Sequence, residues 1–210
     1  MFSKFLSLEP EKQQYIINAA MKEFAQKGFK NASTNEIVKA ANIGKGMLFH
    51  YFNSKKDLYL YLYDYSVKIF IKDLVEKTDL KEKDIFNRLR QRALLEIEII
   101  NKYPDMFDFI MSASIEESDD VKSDLELRNK KMMNNRLDRY FKDFDTSKFK
   151  EDIDLKQAVK VITWTLEGIS GISTEEYKKL KSLSLTQSYY EEILEKMDSY
   201  IKLLKKCFYK

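Results

Sequence analysis

At 210 residues and 25.0 kDa, with 44% hydrophobic residues, the chain can build a proper core, and the composition argues against disorder. Only 5 Gly and 2 Pro point to few turns and mostly helix, while 1 Cys rules out an intramolecular disulfide and fits a reducing cytosol. A net charge of +3 names no partner, and without a leader-like opening or an apolar run near ~18 residues the expected location is cytoplasmic.

Met1 to Leu8 carries Phe2, Phe5, Leu6 and Leu8 and reads as an arm packed on the first helix. With Lys4 as its only basic residue, a DNA-contacting arm is the weaker reading. Pro10 suits the first turn of a helix whose core stripe is Ile16, Ala20 and Phe24, with Gly28 as its stop. Ser33 with Glu36 is a capping box and opens a short helix carrying Ile37, Ala40 and Ala41 on one face. Asn42-Ile43-Gly44 breaks it, a second short helix runs from Lys45 to about Phe52, and Ser54 with Asp57 caps the next. Two short helices about a Gly-containing turn match the helix-turn-helix motif, whose second helix enters the DNA major groove. The charge agrees: residues 1 to 57 hold 9 Lys+Arg against 5 Asp+Glu, and the remainder is nearly balanced.

The stretch AANIGKGMLFHYFNSKKDLY, preceded by AAMKEFAQKGFKNASTNEI, resembles the TetR family of bacterial transcriptional regulators over roughly residues 9 to 60. In that family the positions held here by Thr34, Lys45, Gly46, Phe49, His50, Tyr51 and Lys55 commonly face DNA. Their chemistry suits the task. Gly46 allows close approach, Lys45 reaches phosphate or a guanine edge, and the Phe49 ring can meet a thymine methyl. His50, the only His, would default to a structural role, but its place in this helix favours a DNA contact. Thr34, Tyr51 and Lys55 are placed for phosphates. Two departures stand out. The family usually has Ser at Gly44, which loses a capping hydroxyl, and often Tyr at Phe49, which loses a phosphate contact.

Beyond residue 60 the likeness is one of length and helical layout. Leu58, Leu62, Tyr65 and Ile69 predict one long helix from about Ser54 to Glu76, the mechanical link from the DNA side to the rest. Residues 77 to 84 read as a polar connector, followed by a helix from Ile85 to Lys102 that stops before Pro104. A short apolar segment reaches Ser114. Glu116, Glu117, Asp119 and Asp120 would start a helix to about Phe144, their charge complementing its dipole. Two long helices follow, Asp154 to Ile172 and Gln187 to Tyr209, separated by a Ser- and Lys-rich connection. The expected fold is all-α, about nine helices without a convincing strand. It divides into a helix-turn-helix DNA-binding domain (1–53) and a helical effector-binding and dimerisation domain (54–210).

Tyr103, Met106, Phe107, Phe109, Ile110, Met111 and Trp164 either line an effector pocket or are simply core. Glu167 would meet a cationic ligand or, more commonly, reach solvent or pair with Lys or Arg. Ile162, Leu166, Ile169, Ile193, Met197, Tyr200, Leu204 and Phe208 form apolar stripes for a four-helix dimer interface or for the protomer's own core, and Gly168 and Gly171 would admit a close helix. A helix-turn-helix unit reads a half-site, so a homodimer is expected, as the resemblance also implies. Without a second His, a Cys pair, metal-ligand spacing or a Gly-rich phosphate loop, neither enzyme chemistry nor a metal or cofactor is expected. The resemblance implies repression of a near-palindromic operator, relieved when a small apolar or amphipathic effector shifts the recognition helices from their ~34 Å spacing. Two other readings stay open: a DNA-binding factor without a small-molecule effector, and a helical interaction module with a vestigial helix-turn-helix.

Overall fold

The computed structural model describes residues 2–44, 46–79, 81–130, 143–170 and 187–210. Every regular element among them is a helix, apart from one isolated antiparallel bridge between Phe149 and Tyr209. Packing divides the chain into two compact units, Met1–Asp73 with Ile99–Asn134, and Leu74–Glu98 with Asn135–Lys210.

The first unit opens with α1 (Ser3–Leu6), α2 (Pro10–Asn31), α3 (Thr34–Ala40), α4 (Met47–Tyr51) and most of α5 (Lys55–Lys77). Pro10 sits in the first turn of α2, and the stripe Ile16, Ala20 and Phe24 is fully buried. Gly28 interrupts α2 rather than ending it. Its φ of 69° and ψ of 174° form a state that side chains resist, and one more turn follows to Asn31. Just past this break the Phe29 N–H donates to the Glu116 carboxylate at 2.7 Å. A Cβ on residue 28 would lie 3.2 Å from the same carboxylate.

The short helices follow their sequence signals with local changes. The Ser33 hydroxyl accepts from the Glu36 N–H at 3.4 Å, while the Ser33 N–H donates to Glu23 at 2.8 Å, filling the role Glu36 has in a reciprocal capping box. The left-handed residue in the α3–α4 turn is Asn42, with φ 50°, not Gly44. Ser54 caps α5 by accepting from the Asp57 N–H at 3.0 Å. The first eight residues do more than lean on α2, where Gln13 donates to the Leu6 and Leu8 carbonyls. Phe5 is fully buried, its ring 4.8 Å from Phe52, 5.4 Å from Tyr61 and 6.2 Å from Tyr51.

After α6 (Ile85–Lys102), helix α7 (Pro104–Ser114) packs along α2 within the first unit. Met106, Phe109 and Ala113 are its buried face. The helix expected from Glu116 begins later, and residues 122–130 form α8. The expected continuation towards Phe144 and the connection over 173–186 lie outside the described residues, apart from 143 and 144.

In the second unit the early part of α6 packs with α9 (Leu155–Ser170) and α10 (Gln187–Phe208). The connector before α6 hides a buried acid. The Asp84 carboxylate accepts from the Phe86 and Asn87 N–H groups at 3.0 and 3.3 Å, and from Lys148 and Lys205 at 3.2 and 3.4 Å. Arg88, 2% exposed, donates to the Glu82 and Asp143 carbonyls. These bonds tie residues 143–148 and the end of α10 to the start of α6.

Candidate nucleic-acid interface

Helix α4 has an inner and an outer side. Leu48 and Tyr51 are buried, whereas Met47, Phe49 and His50 are exposed. Tyr51 is 5% exposed, so its ring supports α4 from within, 6.0 Å from His50 and against Phe5. Phe49, half exposed, has no core to fill. Gly46 is the N-cap of α4 with φ −79°, and a Cβ built there meets nothing within 4 Å. The protein itself therefore does not need glycine at this position. Thr34 is half-buried at the first position of α3. Lys45 lies outside the described residues.

Lys55 is engaged within the protein. Its ammonium donates to the Lys30 carbonyl at 3.2 Å and lies 5.0 Å from the Phe29 ring centre. Burial lowers its pKa, and the carboxylates of Asp120, Glu116 and Glu23 pull the other way. Sequence reading missed this acidic setting, because Glu116 and Asp120 are distant in the chain. Nearby, burial raises the Tyr59 phenol, and the charge of Glu116 adds to the effect.

The expected effector residues divide between core and surface. Phe109 is fully buried, its ring 5.2 Å from Tyr59 and 6.3 Å from Phe24, so a ligand could reach it only by displacing core packing. Phe107, Ile110 and Met111 are intermediate in exposure, while Met106 is 6% exposed beside a cleft that Tyr103 also lines. Trp164, in the second unit, is 68% exposed. Glu167 accepts from Arg92 at 3.4 Å, the pairing the sequence offered as the commoner fate of such a glutamate.

The stripe expected at a dimer interface is mostly used within the protomer. Ile162, Leu166, Met197 and Leu204 are buried in the second unit's core, with Ile169 and Phe208 packed against it and Ile193 intermediate. Tyr200 remains exposed. Sequence reading passed over Val161 and Leu203, which are exposed too. A periodic stripe marks the face toward the core, and these residues lie off it.

The short bihelical turn with an outward apolar and imidazole surface is matched by the family model for bacterial regulatory proteins of the tetR family, over residues 16–62. Residues 16–62 are thus similar to the TetR family's regulatory proteins, and the chain shares its fold with solved TetR-family regulators. Over 55 residues it is 46% identical to YuxN, an uncharacterised HTH-type transcriptional regulator of Bacillus subtilis, covering 26% of this chain and 19% of YuxN. It spans less than half the length of several curated relatives that it matches. The Bacillus subtilis fatty acid metabolism regulator protein is 26% identical over 164 residues, 74% of this chain and 80% of that protein. Among solved structures, the regulator FadR from Bacillus subtilis in complex with stearoyl-CoA shares the fold, with a TM-score of 0.61. Its identity is 16%, covering 88% of this chain and 96% of FadR.

Among the described residues no three His, Cys, Asp or Glu side chains are grouped to hold a metal ion, and no helix is long and apolar enough to cross a membrane.

Proposed function

We propose that this protein is a TetR-family regulator, a repressor that binds a near-palindromic operator as a homodimer, with residues 1–53 reading DNA and 54–210 serving effector and dimer. The outward side of α4, where Met47, Phe49 and His50 are exposed over buried Leu48 and Tyr51, carries this reading. Gly46 and Thr34 belong to the same contact set. Lys55 joins it only by leaving the Lys30 carbonyl.

Gly46→Ala separates DNA approach from folding. The melting temperature is expected to stay unchanged, because a Cβ has open space. Affinity for genomic DNA fragments selected by the protein should fall about tenfold or more in fluorescence anisotropy. Full affinity in the variant would show that α4 does not approach a duplex through its N-terminus.

A second copy is the proposed partner of the exposed Val161, Trp164, Tyr200 and Leu203 on α9 and α10. Gly168 leaves room there for a close helix, since nothing lies within 4 Å of an added Cβ. Trp164→Glu with Leu203→Glu should sediment as a folded monomer and lose cooperative operator binding. A dimer that persists would place the interface elsewhere.

For the effector, the fatty acid metabolism regulator and the stearoyl-CoA complex of FadR support an amphipathic acyl compound, and stearoyl-CoA is the first to test. Release of the selected DNA on its addition supports induction. One observation favours a second reading, a DNA-binding factor without such an effector: among the described residues, the cleft beside Glu167 in the second unit has only about 10 Å³ of space. DNA complexes indifferent to acyl-CoA would support that reading.

A further inference from the structure

A separate cleft of about 210 Å³ opens within the first unit, between α2, α5 and the start of α7. An apolar cavity of about 150 Å³ suffices for benzene, and sites for drug-sized ligands start near ~300 Å³. The cleft therefore suits one aromatic ring with a short tail. Met21 and Met106, 2% and 6% exposed, supply soft apolar lining. Tyr65 and Tyr103 contribute aromatic rings.

The polar lining selects the charge of the tail. The Gln14 amide is already engaged, donating to Asn18 at 2.7 Å and accepting from the Tyr65 hydroxyl at 3.2 Å. The Lys102 ammonium donates to Asp73 at 3.0 Å and lies 4.7 Å from the Tyr103 ring centre. The lining's one cation is thus neutralised by a carboxylate outside the lining. Asp105, in the first turn of α7, is the carboxylate of the lining itself. Two tyrosine rings and a carboxylate around a ring-sized cleft favour a cation.

We propose that this cleft binds a single-ring arylalkyl ammonium compound, its ring among Tyr65, Tyr103 and the two methionines and its ammonium at Asp105. Tyr103 and Met106, two of the residues expected to line an effector pocket, belong to this cleft, and the assignment rests on the cleft's lining rather than on DNA binding. Its occupant would touch α2, the helix directly before the helix-turn-helix.

Calorimetric titration of the full chain with 2-phenylethylamine, 2-phenylethanol and phenylacetate tests the assignment. The amine should bind about tenfold or more tighter than the alcohol, and phenylacetate weakest. Asp105→Asn, a change at an exposed position, should remove the preference for the amine over the alcohol while leaving the circular dichroism spectrum unchanged. In protein labelled at methionine methyls, the amine should shift the Met21 and Met106 signals. Equal binding of the three probes, preference for phenylacetate, shifts confined to other methionines, or no saturation by the amine would each overturn the proposal. Binding of the amine by a protein that fails to bind DNA would strike the repressor reading and leave this site standing.

Discussion

Replacing Phe5 by alanine is expected to lower stability by about 3–5 kcal/mol, the usual loss for a buried phenylalanine in a closed core. In a chain of this size that is roughly 10 °C of melting temperature. The cause is local. Phe5 is fully buried and fills the space bounded by Phe52, Tyr61 and Tyr51, the residues that carry the chain from α4 into α5. Phe2 joins the same cluster, its ring 5.1 Å from Phe52, and holds a left-handed backbone with φ 62° that only such packing sustains. Because Tyr51 is the inner support of α4, the variant should also weaken DNA binding at temperatures where it remains folded. A melting curve that matches the parent's would show the N-terminal turn to be ornamental. Phe5→Leu, which keeps most of the volume, should recover more than half of the loss.

The second large effect is expected at Asp84. Its side chain is 7% exposed, caps α6 through two backbone N–H groups and receives both Lys148 and Lys205. Asp84→Ala removes a helix cap and charge-assisted hydrogen bonds together, for a loss of about 3 kcal/mol in thermal or urea unfolding. The acid limb provides an independent check. Burial alone would raise the Asp84 pKa, but the hydrogen bonds from Lys148 and the Asn87 N–H, with the charge of Lys205, outweigh it and hold the carboxyl below its usual value. A depressed folded pKa contributes stability that is complete above the unfolded value, near ~3.9, and is lost as pH falls through the folded one. Asp84→Asn should therefore be less stable than the parent at neutral pH, and the gap should close toward pH ~3. A gap that stays constant across that range would show that the carboxylate's charge adds nothing.

The sequence revealed the helices whose signals are local. The bounds of α6 and α7 follow from an apolar period and a proline, and those of α5 from the Ser54 cap. The outward Phe49 and His50 were legible for the same reason, because α4 is short and its neighbours Leu48 and Tyr51 alternate inward. What escaped was set by tertiary contact. Asp84 looked like one more charge in a polar connector, since nothing nearby announces that Lys148 and Lys205 will meet it. Glu116 looked like a dipole partner at a helix start, yet it serves the Phe29 N–H and the helix starts later. Phe109 carried the composition of a pocket wall and sits in core packing, because apolar side chains look alike until their neighbours are known.

The hydrogen bond from Phe29 to Glu116 joins residues 87 positions apart, and α7 packs along α2 over the same interval. During synthesis at ~5–20 residues per second, the helix-turn-helix end therefore emerges several seconds before the segment that completes its packing. A nascent chain halted before residue 104 would present Phe24 and Tyr59 without Phe109, an aromatic surface open to chaperones. Truncation to the helix-turn-helix alone is correspondingly a poor route to a soluble DNA-binding fragment.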